Sequence, residues 1–393
     1  MKKMCLLLIG DIYFPEEFEQ IFTLDGKFLI TRSLGSDWCF EMSGESMFYA
    51  LCEMEKFQEK CFYDYKLRII EAIDRRIIWG DGKLLHRSFT ENYDMQFRST
   101  NSALRTLLYA SENGFDTDKN IGIIANEQFK YFFEWKEGLW FCHDSSEYGG
   151  KTPFSHVRSK VAGKVWRNTL TLNTHIDSLN TLLLLKYYQK ENFLNFDLDC
   201  WIKKGLISIN QLLALTNEGK IANRLQKIDN YCLNLFLKKQ HDSFGINYIY
   251  ERIVHPIVFK FVFPTIFFNT GFIARDLSVL NRHIDYQLVN ITDFARLLNL
   301  CKNVEKARAI TNILRYNDIM DKLERAIAFV NNNKFLLKYI QSNDLQRAWY
   351  AEMYYAMANI DSKYVRIAKK LYSEHLYCSE SPFYKMDFIH EKN

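Results

Sequence analysis

Apolar and polar positions in this 393-residue chain follow mainly the period of amphipathic helices. Leu67, Ile70, Ile73 and Ile77 recur every three or four residues, so they share one helical face, and a glycine-rich turn at 79–82 follows them. Comparable tracts predict a helix from Ser43 and others at 63–78, 97–112, 119–129, 174–185, 198–216, 220–240, 284–301, 304–315, 317–331, 333–341, 343–358 and 361–375. The pattern therefore predicts about twelve helical segments, mostly joined by short turns.

Three parts of the chain depart from helical spacing. Residues 1–42 hold two short apolar runs between turn signals, which predicts a small β or irregular N-terminal cap. Phe132–Trp135 and Leu139–His143 flank a turn at Lys136-Glu137-Gly138, which predicts a β-hairpin. Tyr248–Thr270 is β-branched, aromatic and interrupted by two prolines, so it is either a buried strand pair or a broken helix.

These elements define the expected fold. We predict a mostly α protein, with a cap at 1–42 packed on a helical domain at 43–393 that carries a hairpin insert at 129–143. No linker rich in Pro, Gly or Ser divides the helical tracts, which favours a single domain.

Composition narrows the classes of partner. The 51 basic and 47 acidic residues nearly balance, so we expect no nucleic-acid partner. No apolar stretch approaches the roughly 20 residues of a membrane span, so no integral membrane segment is expected, while peripheral membrane association stays open. The nine cysteines form no CxxC pair and are odd in number, which favours a reducing, cytoplasmic compartment.

The densest group of reactive side chains follows the hairpin, at His143-Asp144-Ser145-Ser146-Glu147. Asp144 and Glu147 lie three positions apart, and paired carboxylates with separated pKa values supply the acid and the base of glycoside cleavage. They are the predicted catalytic pair. The alternative is that Asp144 only caps a turn with the two serines.

Two helix starts add candidates for proton transfer. His175 is a predicted proton carrier, and Asn173 and Asp177 beside it are candidate substrate-binding residues. Thr174 is the expected N-cap of this helix, with Asp177 completing a capping box. The alternative for His175 is a capped histidine at a helix end.

His283 and Tyr286 also begin a helix after an irregular stretch. Tyr286 is a candidate acid or base and His283 a candidate substrate-binding residue. N-capping and packing are the alternative roles for this pair.

Other side chains are candidates for binding the substrate. Arg98 begins a helix, where anions are favoured, so it is expected to hold an anionic group; the alternative is a surface ion pair with Asp94. Trp140 could form part of a stacking floor for a sugar, unless the hairpin core accounts for it. His143 is a further candidate substrate-binding residue.

No metal or cofactor is predicted. His143, His156 and His175 show no HxxxH or HxH spacing, and the nucleotide, zinc-protease and calcium-loop motifs are absent.

Three tracts, RSTNSALRTLLYA (98–110), LWFCHDSSE (139–147) and NTLTLNTHIDSLNTLLLL (168–185), resemble carbohydrate-active proteins of the (α/α)-toroid architecture. These include glycoside hydrolases, polysaccharide lyases and uronyl C5-epimerases. The resemblance spans about residues 43–375 and implies an (α/α) barrel whose inner helix ends line a cleft.

We therefore expect a cytoplasmic enzyme that modifies or cleaves a glycan, with acidic glycans favoured, in the biosynthesis of a surface polysaccharide such as a capsule. The alternative is a non-catalytic helical scaffold or an accessory subunit of a glycan-assembly complex. The sequence leaves the substrate, the reaction type and the oligomeric state open.

Overall fold

The computed structural model describes residues 62–87, 93–145, 171–215, 219–238, 249–276, 284, 286–342 and 344–375, positions 44–45, 48–49, 51–52 and 55, and the backbone of 156–159 and 163–166. This part of the chain is mostly helical, as the sequence predicts. The predicted N-terminal cap at 1–42 lies outside the described residues.

The helices follow the predicted tracts closely. They are α1 Tyr63–Trp79, α2 Phe97–Glu112, α3 Asp118–Gln128, α4 Leu172–Tyr187, α5 Leu198–Leu213, α6 Lys220–Lys238, α7 Tyr286–Asn303, α8 Arg308–Thr311, α9 Tyr316–Asn332, α10 Lys334–Ser342, α11 Asp344–Ala358 and α12 Val365–His375. The predicted helix at 304–315 is instead a 3₁₀ turn, Glu305–Ala307, followed by the single turn of α8. Helical residues also occur between 44 and 55.

Polar side chains fix several helix starts. The Gln96 side chain accepts from the Ser99 backbone N–H at 2.8 Å before α2. The Asp197 carboxylate accepts from the Cys200 N–H at 3.0 Å before α5. Each supplies an acceptor that the first turn of a helix lacks, which explains why these helices begin where they do.

Three antiparallel strand pairs are described. They are β1 Leu85–Arg87 with β2 Tyr93–Met95, β3 Phe132–Trp135 with β4 Gly138–Phe141, and β5 His156–Ser159 with β6 Gly163–Trp166. The predicted hairpin is β3–β4, which pairs Phe132 with Phe141 and Trp135 with Gly138. The β1–β2 pair has no counterpart among the predicted elements, because strands of three residues are too short to show a detectable alternation.

The core is built around four central helices. α7 packs against α4 and α11, and α2 packs against α4. Nearly every side chain from Phe97 to Leu108 on α2, from Leu172 to Leu185 on α4 and from Gln287 to Leu298 on α7 is buried. A helix that is buried on all sides can still carry polar residues if these form hydrogen bonds with each other. The polar side chains of α2, α4 and α7 do so.

The proline-containing segment is a broken helix, one of its two predicted forms. π-helical turns at Tyr250–Val254 and Ile257–Val262 are followed by an irregular return to Asp276. The Gln287 side chain of α7 holds this return by accepting from the Ile273 N–H at 2.8 Å and donating to the Gly271 carbonyl at 3.0 Å.

Among the described helices, none combines the length and the apolar content that crossing a bilayer requires.

Candidate functional site

Polar residues occupy the first turns of α2 and α4, with leucines further along both helices, and α7 carries Asp293 and Arg296 two to three turns from its start. Because α4 packs against both α2 and α7, these polar turns meet inside the protein. The meeting place holds two groups of side chains, one sealed and one partly exposed.

The sealed group contains six charged residues, which we call the interior ion cluster: Glu45, Arg98, Arg105, Asp177, Asp293 and Arg296. All six are buried. Three basic and three acidic side chains balance the formal charge of the cluster, which is the condition under which charges survive in a protein interior. Burial raises the pKa of Glu45 and of Asp293, against the lowering effect of their arginine partners.

Arg105 is the most fully engaged member of the interior ion cluster. Its Nε and Nη2 donate to the two carboxylate oxygens of Glu45 at 2.7 and 2.9 Å. Its Nη1 donates to Asp177 Oδ1 at 2.8 Å and to Thr181 Oγ1 at 3.2 Å, and Nη2 also donates to Ser102 Oγ at 3.0 Å. All five guanidinium N–H groups are therefore bonded, which fixes the side chain from several directions.

Arg98 joins α2 to the other two helices. Its Nη1 and Nη2 donate to the two oxygens of Asp293 on α7 at 2.7 and 3.3 Å, and Nη1 also reaches the Asn173 carbonyl at the start of α4, at 3.4 Å. Arg296 donates to the same Asp293 at 3.2 Å. The partner of Arg98 is thus a buried aspartate 195 residues away, and the guanidinium is already committed within the protein.

The partly exposed group surrounds His143, and we call it the His143 cluster: His143, Asp144, Thr174, Arg275 and Tyr286. Arg275 Nη2 donates to His143 Nε2 at 3.1 Å, and His143 Nδ1 lies 2.7 Å from Thr174 Oγ1. Since a guanidinium only donates, Nε2 accepts, and the imidazole proton resides on Nδ1 and points to Thr174. Burial, and then the positive charge of Arg275, lower the pKa of His143 to about 4, so the ring is neutral near pH 7.

Arg275 connects the remaining members. Its guanidinium carbon lies 4.6 Å from the centre of the Tyr286 ring, a cation–π arrangement. Its backbone carbonyl accepts from the Leu172 N–H at 2.7 Å, which ties it to the first turn of α4. The Asp144 backbone forms an antiparallel bridge with Gln96, just before α2. The cluster thus joins the residues after β4 and the return before α7 to the first turns of α4 and α7.

Exposure separates the two groups. Every member of the interior ion cluster is buried, whereas His143, Asp144, Arg275 and Tyr286 each keep part of their surface in solvent. A ligand that binds where the helix starts meet would contact the His143 cluster first.

Two predicted site residues belong to the core instead. His175 is fully buried, its ring stacks on Trp140 with centroids 3.9 Å apart, and both ring nitrogens are bonded. Nδ1 accepts from the Phe141 N–H and Nε2 donates to the Gly205 carbonyl, each at 3.2 Å. Burial lowers the pKa of His175 to about 3. The proposed roles of His175 as a proton carrier and Trp140 as a sugar platform do not fit these positions.

The predicted capping roles on α4 are wrong as well. The helix begins at Leu172 with Thr171 as its N-cap, one residue before Asn173. Thr174 faces His143, and Asp177 is held by Arg105 and by Asn101 Nδ2 at 2.9 Å, so neither is available as a cap. Asn173 and Asp177 are both buried, and their predicted contact with substrate finds no exposed surface.

Glu147 and His283 lie outside the described residues. A cavity of about 320 Å³ lies between α6, α9 and residues 269–270, lined mainly by asparagines, and none of the predicted site residues lines it. Within the described part of the chain, no three His, Cys, Asp or Glu side chains are grouped in a way that could hold a metal.

Sequence reasoning missed Arg275, the contact between Thr174 and His143, and three members of the interior ion cluster: Glu45, Asp293 and Arg296. Arg275 follows an irregular stretch without periodicity, so nothing local marks it. A signal for the cluster does exist on α7, where Asp293 and Arg296 lie at a spacing of three on either side of Phe294 and Ala295.

Comparisons with protein families, curated proteins and solved structures found no match for this chain.

Proposed function

We propose that the chain is a glycan-acting enzyme whose reacting groups lie around His143. The observation that carries this proposal is that Arg275 donates to His143 Nε2 at 3.1 Å while lying over the Tyr286 ring at 4.6 Å. A positive charge, a neutral imidazole and a phenol are thus adjacent, partly exposed and backed by rigid helix starts.

This combination suits proton transfer beside a carboxylate, the step shared by uronate elimination and uronate epimerisation. A guanidinium paired with the sugar carboxylate makes the neighbouring C–H more acidic, a neutral imidazole removes the proton, and a phenol or carboxylic acid can deliver one. Arg275, His143 and Tyr286 can fill these three roles. Acidic glycans are therefore the substrates that we propose.

The hydrogen bond between Arg275 and His143 makes the basicity of His143 depend on substrate binding. His143 Nε2 holds its lone pair toward Arg275, whose charge also helps to keep the histidine pKa low. When a substrate carboxylate takes over the guanidinium, Nε2 loses its donor and gains a nearby negative charge. Both changes raise the basicity of His143 only when an acidic ligand is bound.

Hydrolysis is the second reaction that the site supports. Asp144 lies next to His143 with part of its surface exposed, and with Glu147 it would supply the two carboxylates of a glycosidase. The scattered cysteines and the resemblance to toroid proteins lead us to place either reaction in the cytoplasm, in the biosynthesis of a surface polysaccharide.

A scaffold or accessory subunit is the second candidate function. The neutrality of the interior ion cluster favours it, because charges that are balanced inside the protein need no ligand. The partial exposure of the His143 cluster favours the enzyme.

The test uses a panel of uronate-containing polysaccharides and four single variants: His143→Gln, Arg275→Met, Asp144→Asn and Glu147→Gln. Elimination is read from the ultraviolet absorbance of unsaturated uronate, epimerisation from deuterium uptake out of heavy water, and hydrolysis from new reducing ends. Loss of a general acid or base should lower turnover at least about 100-fold. Arg325→Met, which removes an exposed arginine on α9, is the matched control and should leave turnover unchanged.

The pattern of losses distinguishes the reactions. His143→Gln and Arg275→Met should be most damaging to an elimination or epimerisation, and Asp144→Asn and Glu147→Gln to a hydrolysis. Normal turnover in all four folded variants would exclude the site as drawn. A folded wild-type chain that acts on none of the polymers would favour the scaffold.

A further inference from the structure

Exposed large apolar side chains recur on α6 and on the π-helical segment after it, and none of them belongs to the His143 cluster. Exposed apolar patches of this kind are uncommon on monomeric proteins and usually mark interaction sites. The exposed members are Ile221, Ile228, Tyr231 and Leu235 on α6 and Ile249, Ile253, Val254 and Ile257 on the segment.

The α6 members share one side of the helix. Ile221, Ile228 and Leu235 are each separated by seven residues, about two turns, and Tyr231 follows Ile228 by three. The opposite side carries the buried residues of the helix, Ala222, Gln226, Asp229 and Leu233. The apolar stripe on α6 is therefore its outward face and not an unfinished part of the core.

The π-helical segment is fixed beside this helix. Tyr250 Oη donates to Asp229 Oδ1 at 2.8 Å, and His255 Nδ1 lies 2.8 Å from the same oxygen. His255 is buried, while its neighbours Ile253, Val254 and Ile257 are exposed by two fifths or more. The segment is therefore tied to α6 through Asp229, and both helical elements expose isoleucines.

The charges on α6 are all of one sign at the surface. Lys220, Arg224 and Lys227 are exposed, and the one acidic residue of the helix, Asp229, is buried. Lysine is depleted at the centre of protein–protein interfaces, whereas basic side chains beside an apolar stripe are typical of helices that lie on anionic lipid surfaces. The charge pattern therefore favours a bilayer over a protein partner.

We propose that this face, formed by α6 and residues 249–257, binds the surface of an anionic lipid bilayer. The isoleucines, Tyr231 and Leu235 enter the boundary between headgroups and acyl chains, and the three basic side chains contact lipid phosphates. This proposal stands on exposure and charge, and it does not depend on the activity proposed for the His143 cluster.

Co-sedimentation of the full chain with vesicles tests it, with phosphatidylcholine vesicles that contain or lack phosphatidylglycerol. Binding is expected to the anionic vesicles and to be much weaker without phosphatidylglycerol. Arg224→Glu should weaken binding at least about fivefold, the electrostatic contribution of one basic residue at such a surface. Ile228→Asp should weaken it more, because it also removes buried apolar surface.

Matched controls come from α12, where Arg366 and Ile367 are exposed on a helix that is not part of this face. Arg366→Glu and Ile367→Asp should bind vesicles like the wild type. Equal binding to both vesicle types, or no binding to either, would overturn the proposal. So would a wild-type chain that is a dimer without lipid and becomes a monomer on Ile228→Asp, because the face would then be covered by a second copy.

Discussion

Asp177→Asn is a sharp test of the interior ion cluster. The carboxylate accepts from Arg105 Nη1 at 2.8 Å through Oδ1 and from Asn101 Nδ2 at 2.9 Å through Oδ2. Asparagine has nearly the same shape, but its amide nitrogen must face one of these two donors whichever way it is turned. The variant therefore sets a donor against a donor and leaves one positive charge of the cluster without its counter-charge.

The loss of stability expected for Asp177→Asn follows from the burial of the Asp177–Arg105 ion pair. Asp177 and Arg105 are almost completely shielded from water, and removing one partner of a buried ion pair typically costs about 3–5 kcal/mol. Asp321→Asn is the matched control, since Asp321 pairs with Arg325 at 3.0 Å but both side chains are about half exposed. An exposed pair of this kind contributes about 0–1 kcal/mol.

Urea denaturation of both variants, followed by far-ultraviolet circular dichroism, gives the comparison. We expect a clear drop in the midpoint for Asp177→Asn and almost none for Asp321→Asn, with similar slopes. If the two midpoints fall by the same small amount, Asp177 is solvated and the interior ion cluster is not built as described.

Two further predictions concern the core and one turn. The His175 ring should stay neutral from about pH 8 to about pH 5 in histidine NMR titrations. The pKa of His175 in the folded chain, about 3, lies below the ordinary value of 6.5, so the unfolded chain binds this proton first as the pH falls. His175 should therefore lower the stability of the folded chain progressively below about pH 6.5. A His175 signal that titrates near pH 6.5 in the folded chain would contradict its buried position. Gly271→Ala should lower the melting temperature more than Gly114→Ala. Both glycines have positive φ, at +94° and +82°, a conformation that costs a residue with a side chain about 1–2 kcal/mol. Only at Gly271 would the new Cβ lie 2.2 Å from the Arg325 carbonyl oxygen. Equal decreases in melting temperature for the two variants would contradict that contact.

The helices could be predicted because each depends on the spacing of apolar residues that are close together in the sequence. Tracts such as Leu67 to Ile77 repeat every three or four residues, and the glycines after them fix the ends within a residue or two. Short strands such as β1–β2 have too few residues to show a period, and π-helical turns have no pattern that separates them from α-helix.

The candidate site could be predicted only as a set of polar helix starts. Arg98, Asn173 and Asp177 do lie where α2 and α4 meet, but the sequence could not predict which residues they contact. Asp293 is 195 residues from Arg98, and no local pattern pairs residues so far apart. Nor could the sequence tell which histidine is sealed, because the burial of His175 depends on the packing of the hairpin against α4 and α5.

The interior ion cluster bears on the His143 cluster through helix geometry. Buried ion pairs seldom stabilise a protein more than apolar side chains of the same volume, so stability alone does not account for six buried charges. What they do fix is register, because Arg98 joins α2 to α4 and α7, and Arg105 joins α2 to α4. Thr174 precedes Asp177 by about one turn on α4, and Tyr286 precedes Asp293 by about two turns, or roughly 10 Å, on α7. We infer that the cluster holds α2, α4 and α7 in the one alignment that brings Thr174 and Tyr286 to opposite sides of the His143–Arg275 pair. If folded variants with altered charges in the interior ion cluster show the same His143 pKa as the wild type, this inference is wrong.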